Sequence, residues 1–220
     1  MFRFDLRPNP VVVAIGAHCD DIEIGCGATL AALAAARPDA RIHCWFFSGD
    51  AARQAESRHC LDLLLGPGRA DLRCLSFRDG YFPADWGAVK DAYRQLAAGV
   101  DADLVFTHQD DDAHQDHRVL AELAGQTFRR QTVLQFEIPK LDGDLGRPGV
   151  YMPLQPAQLA AKVDALMKAF PTQAGKAWFT PATFEGLARL RGIECNAPGG
   201  LAEAFYTRKV RLGAGAFGSA

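Results

Sequence analysis

The chain opens its pattern with Val11-Val12-Val13-Ala14-Ile15, an unbroken apolar run rich in β-branched residues and too short for a helix. Such a run predicts a strand buried on both faces of a parallel sheet. It stops at His18-Cys19-Asp20-Asp21, glycines at 25 and 27 loosen the backbone, and 28–36 is a strong helix former. Residues 37–40 read as a turn and 41–48 as a second strand, closing a β-α-β unit of the length a parallel crossover needs. The alternation continues with a helix over about 52–65, whose apolar side carries Cys60, Leu61, Leu64 and Leu65 and which Gly66-Pro67-Gly68 stops. A short strand over 72–77, a polar loop over 78–82, a helix over 86–98 and a strand over 102–107 follow. A helix from near 114 to about 130 and a strand over 132–137 complete the regular part.

This order predicts an α/β, Rossmann-like three-layer fold with a mainly parallel sheet and helices on both faces. Residues 138–151 are rich in Gly, Pro and Asp and read as a long loop that binds or caps something. Helices over 156–170 and 180–191 and a late strand over 204–212 then form a C-terminal, substrate-side extension. The expected organisation is one domain over 1–212 and a flexible small-residue tail over 213–220, without internal repeats.

Composition narrows the classes. With 220 residues, 49% hydrophobic and 23% charged, the chain is long enough to bury a full core and is not disordered. A net charge of −2 without a basic stripe argues against nucleic acid as a partner. The apolar runs fall well short of the roughly 20 residues that span a bilayer, so no membrane insertion is expected. The mixed-charge start at 1–7 leads directly into the polar cluster, and no targeting segment is read there. Six scattered cysteines without a CxxC pair point to reduced thiols and a cytoplasmic protein. Oligomeric state is left open, and a homo-oligomer is compatible with all of this.

Two polar clusters lie at predicted strand ends, His18-x-Asp20-Asp21 and His114-x-Asp116-His117. In an open α/β sheet, ligands bind beyond the carboxyl ends of the strands. Singly, each cluster is unremarkable: a strand-end histidine is usually structural, and Asp110-Asp111-Asp112 reads as a solvated loop. Together on one rim they fit a catalytic zinc site, one ion per chain, with three His and Asp ligands and a fourth position for water. His18, Asp21 and His117 are the expected ligands. Asp20 beside them is the expected general base, His114 stabilises an oxyanion or protonates a leaving amine, and Asp116 fixes the orientation of an imidazole.

The run from Gly16 to Gly27 and His114-Gln115-Asp116-His117 resemble the two metal motifs of the PIG-L/LmbE-like zinc N-deacetylases. The likeness extends through Arg53-Gln54-Ala55-Glu56, Asp79-Gly80, Glu137-Ile138-Pro139-Lys140 and Pro171-Thr172-Gln173, nearly the whole chain. The resemblance implies hydrolysis of an N-acetylated amino sugar or its conjugate, and it implies that Arg53 and Asp79 hold sugar hydroxyls. A surface ion pair and a turn carboxylate are the plainer readings of those two. Two positions depart from the family pattern: Cys19 stands where proline is usual, and Asp112 where some relatives place an oxyanion-assisting tyrosine.

Three other readings remain. Two histidines and a carboxylate also form the facial triad of non-haem iron enzymes, although the parallel α/β context does not suit them. Gly25-x-Gly27 faintly resembles a dinucleotide fingerprint, but the spacing is wrong and Asp20, Asp21 and Glu23 would meet a pyrophosphate. A deacylase of the same fold acting on another N-acyl group needs only a different pocket.

Overall fold

In the computed structural model, which describes residues 6–210, five strands run parallel. They are β1 (Val11–His18), β2 (Arg41–Ser48), β3 (Ala70–Cys74), β4 (Leu104–His108) and β5 (Thr132–Phe136). β6 (Val150–Pro153) and β7 (Ala202–Tyr206) extend the same sheet antiparallel, giving the order β3-β2-β1-β4-β5-β7-β6. The helices are α1 (Asp21–Ala36), α2 (Ala51–Leu65), α3 (Trp86–Ala97), α4 (Gln115–Thr127), α5 (Pro156–Ala169) and α6 (Pro181–Glu194).

The unbroken apolar run of β1 follows from its central place. Val12 and Ala14 join the core under α1, α2, α5 and α6, while Val11, Val13, Ile15 and Ala17 face the core under α3 and α4. The three-layer α/β expectation therefore holds. The chain winds outward from β1 through β2 to β3, then crosses to β4 on the other side of β1. That reversal opens a crevice at the carboxyl ends of β1 and β4, the place where doubly wound sheets bind ligands. Among the described residues, no helix is long and apolar enough to cross a membrane.

The first helix departs from the expectation. It begins at Asp21, before the glycines, and breaks at Cys26, whose φ of −144° and ψ of 15° are non-helical. A break inside a helix leaves donors on one side and carbonyls on the other without partners. Two buried side chains from the C-terminal part supply them. Glu203 on β7 accepts from the backbone of Ala28 at 3.0 Å and Thr29 at 2.7 Å, and from the Thr29 hydroxyl at 2.5 Å. Lys162 on α5 donates to the Ile24 carbonyl at 2.5 Å and to Glu203 at 2.6 Å. The turn that carries Asp21 is thus splinted to the rest of α1 by an ion pair. Gly25 in that turn lets the Phe136 ring approach, since a Cβ there would lie 2.4 Å from Cδ2.

Smaller differences concern the sheet edges. β3 spans Ala70–Cys74, starting two residues and ending three residues earlier than expected. Leu75 and Phe77 still donate to the carbonyls of Phe46 and Phe47, at 2.8 and 3.0 Å, after the ladder ends. The end of the long loop enters β6, and the late strand is Ala202–Tyr206 rather than 204–212. Positions 211 and 212, and the tail expected over 213–220, lie outside the described residues.

Removing one partner of a buried ion pair leaves the other uncompensated, at a cost of roughly 3–5 kcal/mol. Glu203→Ala is therefore expected to lower the unfolding free energy obtained from urea titration by that order, while Lys162→Met combined with Glu203→Leu recovers more than half of the loss. A double variant as unstable as the single one would contradict the splint.

Candidate active site

His18 ends β1, Asp21 starts α1, and His117 lies in the first turn of α4. The structure brings the three together although 99 positions separate the histidines: His18 Nδ1 is 3.2 Å from His117 Nε2. Each of those nitrogens is 3.5 Å from the same atom, Asp21 Oδ2. A tetrahedral ion with bonds of about 2.0–2.1 Å needs ligand atoms about 3.3–3.4 Å apart, so this triangle has the right edges.

Proton positions follow from the outer nitrogens. His18 Nε2 faces Asp79 Oδ1 at 3.0 Å and Asp116 Oδ2 at 3.3 Å, and His117 Nδ1 faces Asp112 Oδ2 at 3.0 Å. Carboxylates only accept, so the ring protons sit on those nitrogens and the inner lone pairs converge with the Asp21 oxygen. Converging lone pairs repel unless a cation lies among them. The donor set therefore fits a zinc ion on the structure's own terms. Without a metal, a proton takes that part. Burial works against charge on His18, but Asp116, Asp21 and Asp79 outweigh it and hold the imidazole well above its ordinary value. Burial and neighbouring His108 push His117 down to about 4.

Asp116 lies against the imidazole of His18, with Oδ2 3.3 Å from Nε2. The same carboxylate accepts from the backbone of Gly80 at 2.6 Å and Phe82 at 3.0 Å, which fixes the loop bearing Asp79. Asp112, which in the sequence reads as a missing tyrosine, is fully buried and orients His117 instead. His108 is absent from the expected set. It ends β4 as His18 ends β1, and its ring stacks on His117 with centroids 3.8 Å apart. Its Nε2 lies 3.2 Å from Asp21 Oδ2 but already accepts from the Ala17 amide at 3.0 Å, which makes it a strand tie rather than a free ligand. The strand-end position is its signal, hidden in a run of polar residues.

Asp20 links β1 to α1 with φ 130°, a conformation that strains any residue but glycine. Its carboxylate is buried and meets Arg53 at 2.8 Å. Burial and the Asp21 charge push it up to about 7, against the pull of Arg53. Arg53 also reaches Glu56 at 3.1 Å, the Thr172 hydroxyl at 3.0 Å and the Cys19 carbonyl. Its guanidinium is thus spent on protein groups. His114 caps α4: its Nδ1 accepts from the Asp116 amide at 3.3 Å, so its proton sits on Nε2. Burial and His18 lower its pKa and keep the ring neutral. Asp79 has a side chain 71% exposed and stands at the rim. It also gathers with His18, His114 and Asp116 as a second group of donors, but there His18 Nε2 bears the proton shared with two carboxylates.

None of the curated proteins matches the sequence. The model of the PIG-L family, GlcNAc-PI de-N-acetylase, matches residues 13–128, just over half of the chain. Among solved structures, GalB, the 4-carboxy-2-hydroxymuconate hydratase of Pseudomonas putida KT2440, is 16% identical with a TM-score of 0.69, covering 93% of this chain and 98% of that one. The conserved protein TT1542 of Thermus thermophilus is 19% identical with a TM-score of 0.69, covering 94% and 97%. The N,N'-diacetylchitobiose deacetylase of Pyrococcus horikoshii is 18% identical with a TM-score of 0.64, covering 93% and 87%. At these identities the likeness concerns the fold.

Proposed function

The chain belongs to the PIG-L family, and we propose that it is a zinc-dependent hydrolase that removes the acetyl group from an N-acetylated amino sugar or its conjugate. We place it in bacterial saccharide or natural-product biosynthesis, in a cytoplasmic setting that keeps its six cysteines unpaired. The observation that carries the reading is the convergence of His18 Nδ1, Asp21 Oδ2 and His117 Nε2, with Asp20 next in the chain. Those three residues would hold one zinc ion per chain, which would supply a Lewis acid to polarise the amide carbonyl and acidify water.

The remaining work falls to side chains. Asp20 takes the proton from the attacking water as its oxygen bonds to the carbonyl carbon. His114, with its proton on Nε2, donates a hydrogen bond to the oxyanion that develops. The C–N bond then breaks, the proton held by Asp20 passes to the nitrogen, and acetate and a free amine leave. Asp116 holds His18 in place, and Arg53 holds Asp20. Asp79 at the rim is the residue we assign to a substrate hydroxyl, and Arg53 reaches substrate only beside its protein contacts.

A panel of free, nucleotide-linked and lipid-linked N-acetylamino sugars, with formyl and longer acyl analogues, tests the reaction through released acid and amine. Because a hydratase shares the fold, the same panel carries an enolic unsaturated acid. Acetate release from one amino sugar supports the reading; turnover of the unsaturated acid alone overturns it. Asp20→Asn is expected to lower kcat by about 10²–10⁴-fold while zinc by elemental analysis stays at one per chain. His114→Ala is expected to lower kcat by roughly 10²–10³-fold with little change in zinc content, whereas His18→Ala and His117→Ala should lose the metal. An Asp20→Asn enzyme retaining most of its turnover would remove Asp20 from the role of base.

A further inference from the structure

The loop between β5 and β6, residues 137–149, belongs to the part of the chain beyond the family match, yet it reaches the metal-binding corner from behind. Its Lys140 is half-buried, with a side chain 9% exposed and its Nζ 3.0 Å from Asp112 Oδ1, and it also pairs with Asp144 of the same loop. Asp144 in turn accepts from the Ala113 amide at 2.7 Å. Asp112 accepts from the His114 amide at 2.8 Å on Oδ1 and from His117 Nδ1 at 3.0 Å on Oδ2. The chain of contacts therefore runs from the loop through Lys140 and Asp112 to the ring of His117. At its two ends the loop is held by Arg191, which clasps both oxygens of Glu137 at 2.7 and 2.6 Å and reaches the Gly146 carbonyl at 3.2 Å.

A fully buried carboxylate stays charged only where hydrogen bonds and a counter-charge compensate its lost hydration. Asp112 accepts the His117 ring proton, and a charged acceptor at Nδ1 keeps the Nε2 lone pair turned inward and more basic. Among the described residues, Lys140 is the lysine that pairs with the Asp112 carboxylate. Remove its ammonium, and the buried carboxylate loses its counter-charge and one of the two anchors of Oδ1. Asp112 can then turn away from His117, and the ring loses the fixed orientation on which a metal ligand depends. His117 is otherwise constrained by stacking on His108, which sets the plane of the ring but not the nitrogen that carries the proton.

We infer that Lys140, latched with Asp144 onto the 112–117 segment, is a positioning residue for the zinc ligand His117, so that the 137–149 loop sets the affinity of the site for its metal. The inference rests on the zinc reading given above. It makes the loop part of the metal site's support rather than a cap over the substrate alone, and it identifies a contribution to the site that neither metal motif contains.

The test measures zinc affinity by competition with a chromogenic chelator, on the full chain, independently of turnover. Lys140→Met is expected to weaken zinc binding by about 10–100-fold, and Lys140→Arg, which retains the charge, to restore most of it. Asp112→Asn and the Lys140→Met/Asp112→Asn double variant complete a cycle. If Lys140 acts through Asp112, the double variant binds zinc about as weakly as Asp112→Asn alone, because interacting pairs are not additive. Additive losses, or a Lys140→Met protein with wild-type zinc affinity, overturn the inference. Circular dichroism and thermal unfolding of the metal-free variants separate misfolding from lost affinity: a Lys140→Met protein that is unfolded, with Lys140→Arg also unable to restore binding, counts against a positioning role. A wild-type chain that binds no zinc would instead overturn the functional reading itself, and this inference with it.

Discussion

One oxygen atom, Asp21 Oδ2, organises the carboxyl end of the sheet. It lies 3.5 Å from a nitrogen of His18 and of His117 and 3.2 Å from a nitrogen of His108, and it accepts from the His18 amide at 2.7 Å. To place it there the chain must turn back on itself between the end of β1 and the start of α1. Asp20 absorbs that reversal with its φ of 130°. Such a conformation costs of order 1–3 kcal/mol and persists only where surrounding contacts over-determine it. Here they do: Arg53 grips both the Asp20 carboxylate and the carbonyl of Cys19, while Lys162 holds the far end of the same turn at the Ile24 carbonyl. The strain falls on the residue whose carboxylate is thereby turned beside the converging donors of His18, Asp21 and His117.

The departure from proline at position 19 fits this picture. Cys19 is buried, and its sulfur would lie 2.6 Å from a Cβ at Gly49, so the thiol packs directly on the turn that follows β2. The rigidity a proline ring would give is replaced by packing and by the Arg53 contact. Gly49 is consequently as much a part of the turn as Cys19 itself.

What the residues disclose in advance is local. The apolar run of β1, the alternation to residue 137 and the two His/Asp clusters are patterns within short windows, and the parallel order with its crevice follows from them by the handedness and length of crossovers. What stays hidden depends on distant partners. Nothing in the vicinity of Cys26 announces that α1 starts at Asp21, because the donors and carbonyl freed by the break are satisfied by Glu203 and Lys162, more than 130 positions away. His108 resembles any strand-end histidine until β4 is set beside β1. Likeness alone assigns Arg53 to substrate, whereas its guanidinium is turned inward on Asp20, Glu56 and Thr172. Asp112 looks like the loss of a tyrosine, yet its neighbours make it the acceptor for His117. Long-range charge pairing has no period, and so it leaves no trace in a sequence window.

The arrangement of His114 decides how a proton travels in the proposed hydrolysis. Its Nδ1 accepts the Asp116 amide as the cap of α4, so the neutral ring has a single proton, on Nε2. Donating a hydrogen bond from Nε2 to an oxyanion costs nothing further, but surrendering that proton would leave an imidazolate. To act as an acid the ring would have to be protonated at Nδ1 as well, which would set an N–H against the Asp116 N–H and uncap the helix that carries His117. Burial and the neighbouring His18 already disfavour that cation. The departing amine must therefore receive its proton from Asp20, which acquired one from water in the preceding step. Burial lifts the Asp20 carboxyl above its ordinary range against the pull of Arg53, and a carboxyl so disposed suits a group that first takes a proton and then returns it. The two groups divide the work by geometry, with His114 a fixed donor and Asp20 the carrier.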